Sequence, residues 1–384
     1  MDFRLSDEQR MLQDSVRRFV RKECPPDVIA SCSTVGEHRE EVWRKFAGAG
    51  WLGIGIDPEY GGSGGDLMDT ALVVEAASAA GDVIGPFFPT MCFGGHLLAS
   101  AGSEEQKKTL LPELVAGRRR FALSLTEPGG GTDVLGAMRT TATQDGDDWV
   151  IDGGKIFTSA ARSAHHLMVA ARTRAPRDGK KADGITLFLV DTDAPGVTID
   201  PIEVLSGEDT NIVGYDTVRV TGDRVIGEVD RGFYQLIGML NHERIGTAAL
   251  CLGWAQAALE EVLVYAGQRD AFGGKIDRFQ SVQHSVARMH LLIEQARLMV
   301  YRAAWMQSQG LECGPEATAA KAVAAENCFT ACDLGMQVMG GIGYTLECGV
   351  NRNWRKTRLY RLAPIANEMA LNFVAESLGM PRSF

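Results

Sequence analysis

Absences set the first bounds on this chain. Its eight cysteines, at positions 24, 32, 92, 251, 313, 328, 332 and 348, form no Cys-x-x-Cys pair, so neither a zinc site nor a disulfide framework is indicated. Cys328 and Cys332 lie one helical turn apart and read as small core residues. A basic surplus is also missing: 39 Lys and Arg face 49 Asp and Glu, for a net charge of -10. That balance argues against general nucleic-acid binding, which needs a basic surface to neutralise phosphate. An anionic ligand requires a local basic patch instead. No uninterrupted apolar run approaches the roughly 18 residues of a spanning helix. The stretch Met1-Asp2-Phe3-Arg4-Leu5-Ser6-Asp7-Glu8 is too charged for a secretory signal. A cytoplasmic protein that touches no membrane is the expectation. The one Gly-x-Gly-x-x-Gly spacing, Gly48-Ala49-Gly50-Trp51-Leu52-Gly53, lies in the region that reads as helical and not after a strand, and Gly-x-x-x-x-Gly-Lys-Ser/Thr is absent, which argues against a nicotinamide-binding Rossmann domain and a triphosphate-binding loop.

Against these absences stand 384 residues, 45% of them hydrophobic, enough for two or three packed units with a large core. Residues 1–120 read as an N-terminal α-helical domain. Ser6 and Gln9 make a capping box ahead of Leu12, Val16, Phe19 and Val20 at helical spacing; further helices are expected from Asp66 to Ala80 and after Ser103. From Phe121 the period becomes alternating. Thr140–Thr143 and Trp149–Ile151 flank Asp145-Gly146, a hairpin signal, and short strands follow at Leu167–Arg172, Ile185–Val190, Val197–Ile199 and Thr217–Val220. Strands so close leave no room for crossover helices, so residues 121–233 read as a central antiparallel β-domain. The segment Arg174–Asp183 within it reads as a mobile loop. Residues 234–384 read as a C-terminal four-helix bundle, with long helices over Ile245–Ala266, Gln280–Ser308 and Glu316–Met339, the last two separated by Gly310 and Pro315. The fold class is α+β.

The most informative stretch is Ser124 to Gly136, reading Ser-Leu-Thr-Glu-Pro-Gly-Gly-Gly-Thr-Asp-Val-Leu-Gly. An extended run meets Pro128 and then three glycines, which let a planar or anionic ligand approach the main chain. The hydroxyls of Ser124, Thr126 and Thr132 add rotatable donors. A solvated turn between strands is the plain alternative. Gly61 to Gly65 matches Gly-x-Ser-x-Gly, the serine-hydrolase elbow, but the turn-like Asp57-Pro58-Glu59-Tyr60 precedes it where an elbow needs a strand. That hydrolase alternative predicts thioesterase activity. His165 and His166 are adjacent, so on a strand they face opposite sides and share no ion; they read as two partly exposed histidines.

Together with Gly153-Gly154-Lys155-Ile156-Phe157-Thr158 and Gln337-Val338-Met339-Gly340-Gly341-Ile342-Gly343-Tyr344, the glycine loop resembles the acyl-CoA dehydrogenase family of flavoenzymes, over essentially the whole chain. The resemblance implies the family's fold and FAD as cofactor. It implies that Leu125, Thr126 and Thr132 contact FAD, with Thr132 also near the CoA end of the substrate, and that Phe157 and Thr158 lie on the far side of the ring, where a tryptophan is more usual. Preorganised donors there stabilise the charge that reduction puts on the flavin. Arg269-Asp270-Ala271-Phe272-Gly273 and Gln280 resemble the segment that reaches the FAD of a neighbouring subunit, and Gln337, Gly340 and Gly341 its counterpart around the adenosine and pyrophosphate. Arg269 suits a phosphate partner. Asn367 and Glu368 fit the C-terminal flavin segment. Asn241 and Arg244 resemble residues that hold CoA.

Oxidation of a thioester between Cα and Cβ needs a carboxylate to take the α proton while hydride leaves Cβ for flavin N5. Many family members carry this glutamate near the C-terminus, where Pro364 stands here. Isovaleryl- and long-chain-type members carry it at the start of the first long C-terminal helix, a position matched by Glu243. An ordinary first-turn glutamate favoured by the helix dipole is the alternative. Proline also lacks the N–H that in the family helps bind the thioester oxygen; loss of such a donor costs about 3 kcal/mol of transition-state stabilisation. The resemblance further implies an acyl-CoA substrate, an electron-transfer flavoprotein as electron acceptor and a homotetramer in fatty acid metabolism. The other readings are a desulfinase or flavin monooxygenase on the same scaffold, and a flavin-free partner subunit.

Overall fold

A computed structural model describes residues 4–25, 37–79, 87–207 and 209–382. Cys32 and the expected helix end at Ala80 lie outside them. The chain divides into two compact units, one gathering Met1–Ser31, Asp66–Val83 and Asn241–Phe384, the other Cys32–Gly65 and Ile84–Leu240.

In the second unit, α-helical runs at Glu37–Gly48 and Glu104–Val115 accompany a helical stretch whose middle, Thr90–Leu97, is a π-helix. Ser103 opens the later helix with a capping box to Gln106, the N-terminal signal expected there. The sheet follows: β1 Phe121–Ser124, β2 Thr141–Asp145, β3 Asp148–Ser159, β4 His166–Arg172, β5 Ile185–Asp191, β6 Val197–Ile202, β7 Thr210–Val220 and β8 Val225–Ile226. Its order is β6-β7-β3-β2-β4-β5-β8, with β1 beside β4.

Most pairings are antiparallel, as expected, but β1 lies parallel to β4, Phe121 opposite His166, and β2 touches β4 in parallel at Thr141 and Arg172. The β2–β3 hairpin closes with Asp145 opposite Asp148; Gly146 takes a φ of 68° that a β-carbon would strain. Strand β3 continues past the expected Ile151 because its register slips at Ile151/Gly153, where Gly153 packs so tightly that a β-carbon would meet Thr140 at 2.6 Å. Period-2 alternation sorts the core into two layers. Met168, Ala170, Leu187 and Leu189 join Leu97, Leu98, Leu111 and Leu114 of the helices; Leu167, Val169, Phe188 and Val190 join Trp149, Val213 and Val218 on the other face.

The segment expected as a mobile loop is pinned. The Arg174 guanidinium bonds both Asp183 oxygens, at 2.6 and 2.7 Å, and Asp230 at 2.7 Å.

In the first unit, α1 (Asp7–Glu23) carries the expected capping box, with Gln9 N–H donating to Ser6 Oγ at 3.1 Å. It packs on α2 (Leu67–Ser78), which is buried on almost every side and capped by Asp66. Glu75 on α2, 2% exposed, accepts from Tyr301 Oη at 2.7 Å and Arg297 Nε at 3.2 Å. Those partners lie on α4 (Gln280–Ser308), so the pair pins α2 to that helix. The helix α3 (Gly232–Gln268) starts well before the expected Ile245. It is also long and apolar enough to cross a membrane, yet 67% of its most apolar stretch is buried inside the protein, as for a core helix. A two-stranded hairpin, Asp270–Ala271 with Gly274–Lys275, leads into α4. Then come α5 (Gly314–Met339), α6 (Gly349–Leu359) and α7 (Asn367–Ser377), the last two packed on α5. Cys328 and Cys332 are fully buried free thiols.

Candidate active site: two separately built surfaces

The glycine loop hangs from a neck tied by one buried ion pair. Lys155, wholly inaccessible, donates from Nζ to Glu127 Oε1 at 2.8 Å and to the Leu125 carbonyl at 3.1 Å. Glu127 also accepts the main-chain N–H groups of Arg139 at 2.5 Å and Thr140 at 2.9 Å, and Ile156 N–H donates to the Thr126 carbonyl at 2.8 Å. Burial pushes the Glu127 carboxyl up, but the Lys155 hydrogen bond and charge and the two N–H donors hold it below the usual carboxylate range. Leu125 and Thr126 are thereby fixed side by side with β3. Beyond the neck Thr132 is exposed, a β-carbon on Gly131 would meet nothing within 4 Å, and a cavity of about 520 Å³ opens beside Pro128, Gly129, Asp133, Arg139 and Gly154.

Phe157 and Thr158 do not share a face. Phe157 is 58% exposed with a left-handed φ of 60°, at a second register slip between Lys155 and Thr158. Thr158 is buried and its hydroxyl meets Ser124 Oγ at 3.2 Å, to which Tyr215 donates at 2.8 Å. The Thr158 hydroxyl therefore points into the sheet, and so does that of Ser124, expected as a loop donor. Ser159, exposed like Phe157, is the hydroxyl on the outer side. Alternation out from Phe157 carried this signal, and the motif alone concealed it.

In the other unit Glu243 sits in the fourth turn of α3, because that helix opens at Gly232. The first-turn reading and its helix-dipole explanation are corrected by this. The carboxylate is partly buried and has no hydrogen bond or ion pair among the described residues. Burial pushes its pKa up to about 7, against the pull of the Arg244 and Lys321 charges. Arg244 lies 5.5 Å from the Phe373 ring centre. Asn241 donates to Gln307 Oε1 at 2.9 Å, so its amide nitrogen is already used within the chain.

Lys321, which sequence reasoning missed, is fully buried; its Nζ donates to the Ile365 carbonyl and, at 3.0 Å, to Asn367 Oδ1. It thus ties the turn that carries Pro364, and the start of α7 with Glu368, to α5. Burial brings its own pKa down to about 8. A lone lysine in the alanine-rich run Ala317–Ala325 was the available signal.

The remaining expected residues are on the surface. Arg269, Gln280, Gln337, Gly340 and Gly341 are exposed, Phe272 at the hairpin tip is 96% exposed, and a β-carbon on either glycine would meet nothing within 4 Å. Ser63 follows a short 3-10 turn, Pro58–Tyr60, and donates to the Gly50 carbonyl at 2.7 Å; no strand leads into it, so the hydrolase elbow is not formed. His166 is buried against Asp191 at 2.6 Å, and not partly exposed as expected; His165 Nδ1 accepts from Arg120 N–H at 3.1 Å.

Residues 6–118, 122–218 and 230–379 match the acyl-CoA dehydrogenase N-terminal, middle and C-terminal domains. The chain is 37% identical to acyl-CoA dehydrogenase FadE12 of Mycobacterium tuberculosis, over 91% of this chain and 90% of that protein. It is 33% identical to the caffeyl-CoA reductase-Etf complex subunit CarC of Acetobacterium woodii, over 93% and 94%. The structure of butyryl-CoA dehydrogenase from Megasphaera elsdenii superposes with a TM-score of 0.92 at 30% identity, covering 99% of this chain and 100% of that one. The family's cofactor is FAD, and the residues present fit it: an exposed aromatic face at Phe157, uncrowded glycines at 131, 340 and 341, and an unburied arginine at 269. With all three domains matched in order and relatives aligned nearly end to end, this chain belongs to the acyl-CoA dehydrogenase family of FAD-dependent oxidoreductases.

Proposed function

We propose that this chain catalyses α,β-dehydrogenation of an acyl-CoA thioester to the 2-enoyl-CoA, with Glu243 as the base. One observation carries the reading: Glu243 is a partly buried carboxylate with no partner among the described residues and a pKa of about 7. A structural glutamate so placed is normally neutralised by a bound cation or donors; an unpaired one near neutrality is poised to accept a proton. Pro364 is exposed and offers no acid of its own, in keeping with a base supplied from α3. Bound FAD supplies the two-electron acceptor. Leu125, Thr126, Thr132 and Phe157 would line its ring, with the exposed Ser159 as an outward hydroxyl beside Phe157. Glu243 takes the α proton onto its carboxylate, and Arg244 and Lys321 keep that carboxylate ionised enough to do so. Arg244 is read as a holder of the CoA portion.

The same groups would serve the reverse reaction, with protonated Glu243 delivering its proton to Cα and FAD in its reduced state as the two-electron donor toward Cβ; the similarity to a subunit named for caffeyl-CoA reduction favours testing both directions. That subunit's named Etf complex also supports an electron-transfer flavoprotein as redox partner here. The large exposed side chains Phe272 at 96%, Tyr344 at 82% and Leu346 at 74% exposure support burial of these side chains by further copies of the chain, as a homotetramer.

Anaerobic mixing of the FAD-bound protein with a panel of acyl-CoA thioesters tests the reading. Bleaching of the flavin band is expected for the wild type. Glu243→Gln should lower its rate by about 100-fold or more while the protein stays yellow. Unchanged bleaching in Glu243→Gln removes Glu243 from the chemistry.

A further inference from the structure

The neck of the glycine loop contains more machinery than a turn requires. A lysine and a glutamate, 0% and 6% exposed, are costly to bury, because desolvation of both charges offsets much of their attraction. Such a pair is weak support for stability, so what it holds in place becomes the question. Lys155 Nζ reaches one further acceptor, the Leu125 carbonyl at 3.1 Å. The peptide joining Leu125 to Thr126 is trans, and in a trans peptide the C=O and the next N–H point in opposite directions. Gripping the Leu125 carbonyl from inside therefore turns the Thr126 N–H outward, and no acceptor among the described residues takes that N–H. Ile156 N–H fixes the next peptide in the same way through the Thr126 carbonyl. Glu127 meanwhile bonds the N–H groups of Arg139 and Thr140, where the chain re-enters the sheet, and so closes the loop at its base.

We propose that Lys155 and Glu127 are the positioning pair of the flavin loop: the buried ammonium sets the peptide orientation at Leu125–Thr126, the carboxylate fixes the ammonium and closes the neck, and FAD retention depends on both. The inference rests on the assignment of this loop to the flavin in the proposed function, but not on Glu243.

The test uses the purified FAD-bound protein, and reads FAD release on dilution by recovered flavin fluorescence together with the melting temperature. Lys155→Met strands the Glu127 charge and is expected to be unstable, so the deciding variant is Lys155→Met/Glu127→Gln, which buries no charge and leaves a glutamine oxygen for Thr140. Its melting temperature should return toward the wild type. Its FAD affinity should remain weaker by tenfold to about 100-fold, the equivalent of one charge-assisted hydrogen bond. Lys155→Arg, which keeps a buried donor, should recover part of that affinity. If affinity and melting temperature recover together in the double variant, the pair is only structural and the proposal fails. A wild type that binds no FAD would sink the flavin-loop assignment itself, a distinct outcome.

Discussion

Glu127 and Glu243 are both withdrawn from water, yet their surroundings drive them in opposite directions. Glu127 meets an ammonium and two main-chain donors, which hold it charged in spite of burial. Glu243 meets burial with only the charges of Arg244 and Lys321, neither bonded to it, to relieve it, and rises to about 7. Burial alone therefore says little about what a carboxylate does; the number of donors aimed at it decides. A carboxylate that accepts three donors, one of them an ammonium, is held in its charged form. One with none engaged can take a proton from a substrate and return it near neutral pH.

The contrast breaks most visibly in stability. Glu127→Ala leaves Lys155 uncompensated and two N–H groups unmade, and should cost about 3 to 5 kcal/mol in denaturant unfolding. A cost below about 1 kcal/mol would show the pair to be dispensable. Glu243→Gln should act with the opposite sign. Its folded pKa lies above the unfolded value, so wild-type stability is full below about pH 4.5 and is lost as pH rises through about 7. Glutamine has no such loss. The variant should match the wild type near pH 4 and exceed it by up to about 3 kcal/mol at pH 9; a gap that does not widen with pH contradicts the raised pKa.

How far these two sites were legible follows from the range of the forces involved. The Ser6 capping box, the Asp145-Gly146 hairpin and the break at Gly310 are local, and each forms where its residues predict. The parallel placement of β1 against β4 and the gathering of Asp66–Val83 with the C-terminal helices depend on partners far along the chain, and no period reveals them. The start of α3 was misplaced because Gly232 to Leu240 carries two glycines and aromatic residues that weaken the helical signal. At the site, residue types were readable and directions were not. Thr158 turns inward because the chain slips register at Phe157, and the roles of Lys155 and Lys321 appear only when Leu125 and Ile365 are beside them.

Lys321 sharpens the comparison on the Glu243 side. The groups acting on that carboxylate are Arg244, from its own helix, and Lys321, from α5; Lys321 in turn interacts with Cys251 and Glu368. The acid limb of the bleaching rate should fall about tenfold per unit below pH 7, since only ionised Glu243 accepts the proton. Lys321→Met removes a cation that favours ionisation, so the limb should move to higher pH by on the order of half to one unit. Lys321→Arg should leave it nearly in place. A shift to lower pH in Lys321→Met would contradict the sign of this interaction.

The smallest effect tests whether the loop's neutral contacts matter as much as its charged ones. Tyr215 donates to Ser124, and Ser124 and Thr158 share a hydrogen bond, all inside the sheet. Burial raises the Tyr215 pKa far above any working pH, so this chain carries no charge and has no pH dependence to contribute. Tyr215→Phe removes one neutral donor but leaves the Ser124 to Thr158 contact, with a cost near 1 kcal/mol. FAD affinity should change less than about twofold, because Lys155 still fixes the Leu125 peptide. A loss of affinity in Tyr215→Phe as large as that in Lys155→Met/Glu127→Gln would place control of the loop in the hydroxyl chain, and the ion pair would lose its special standing.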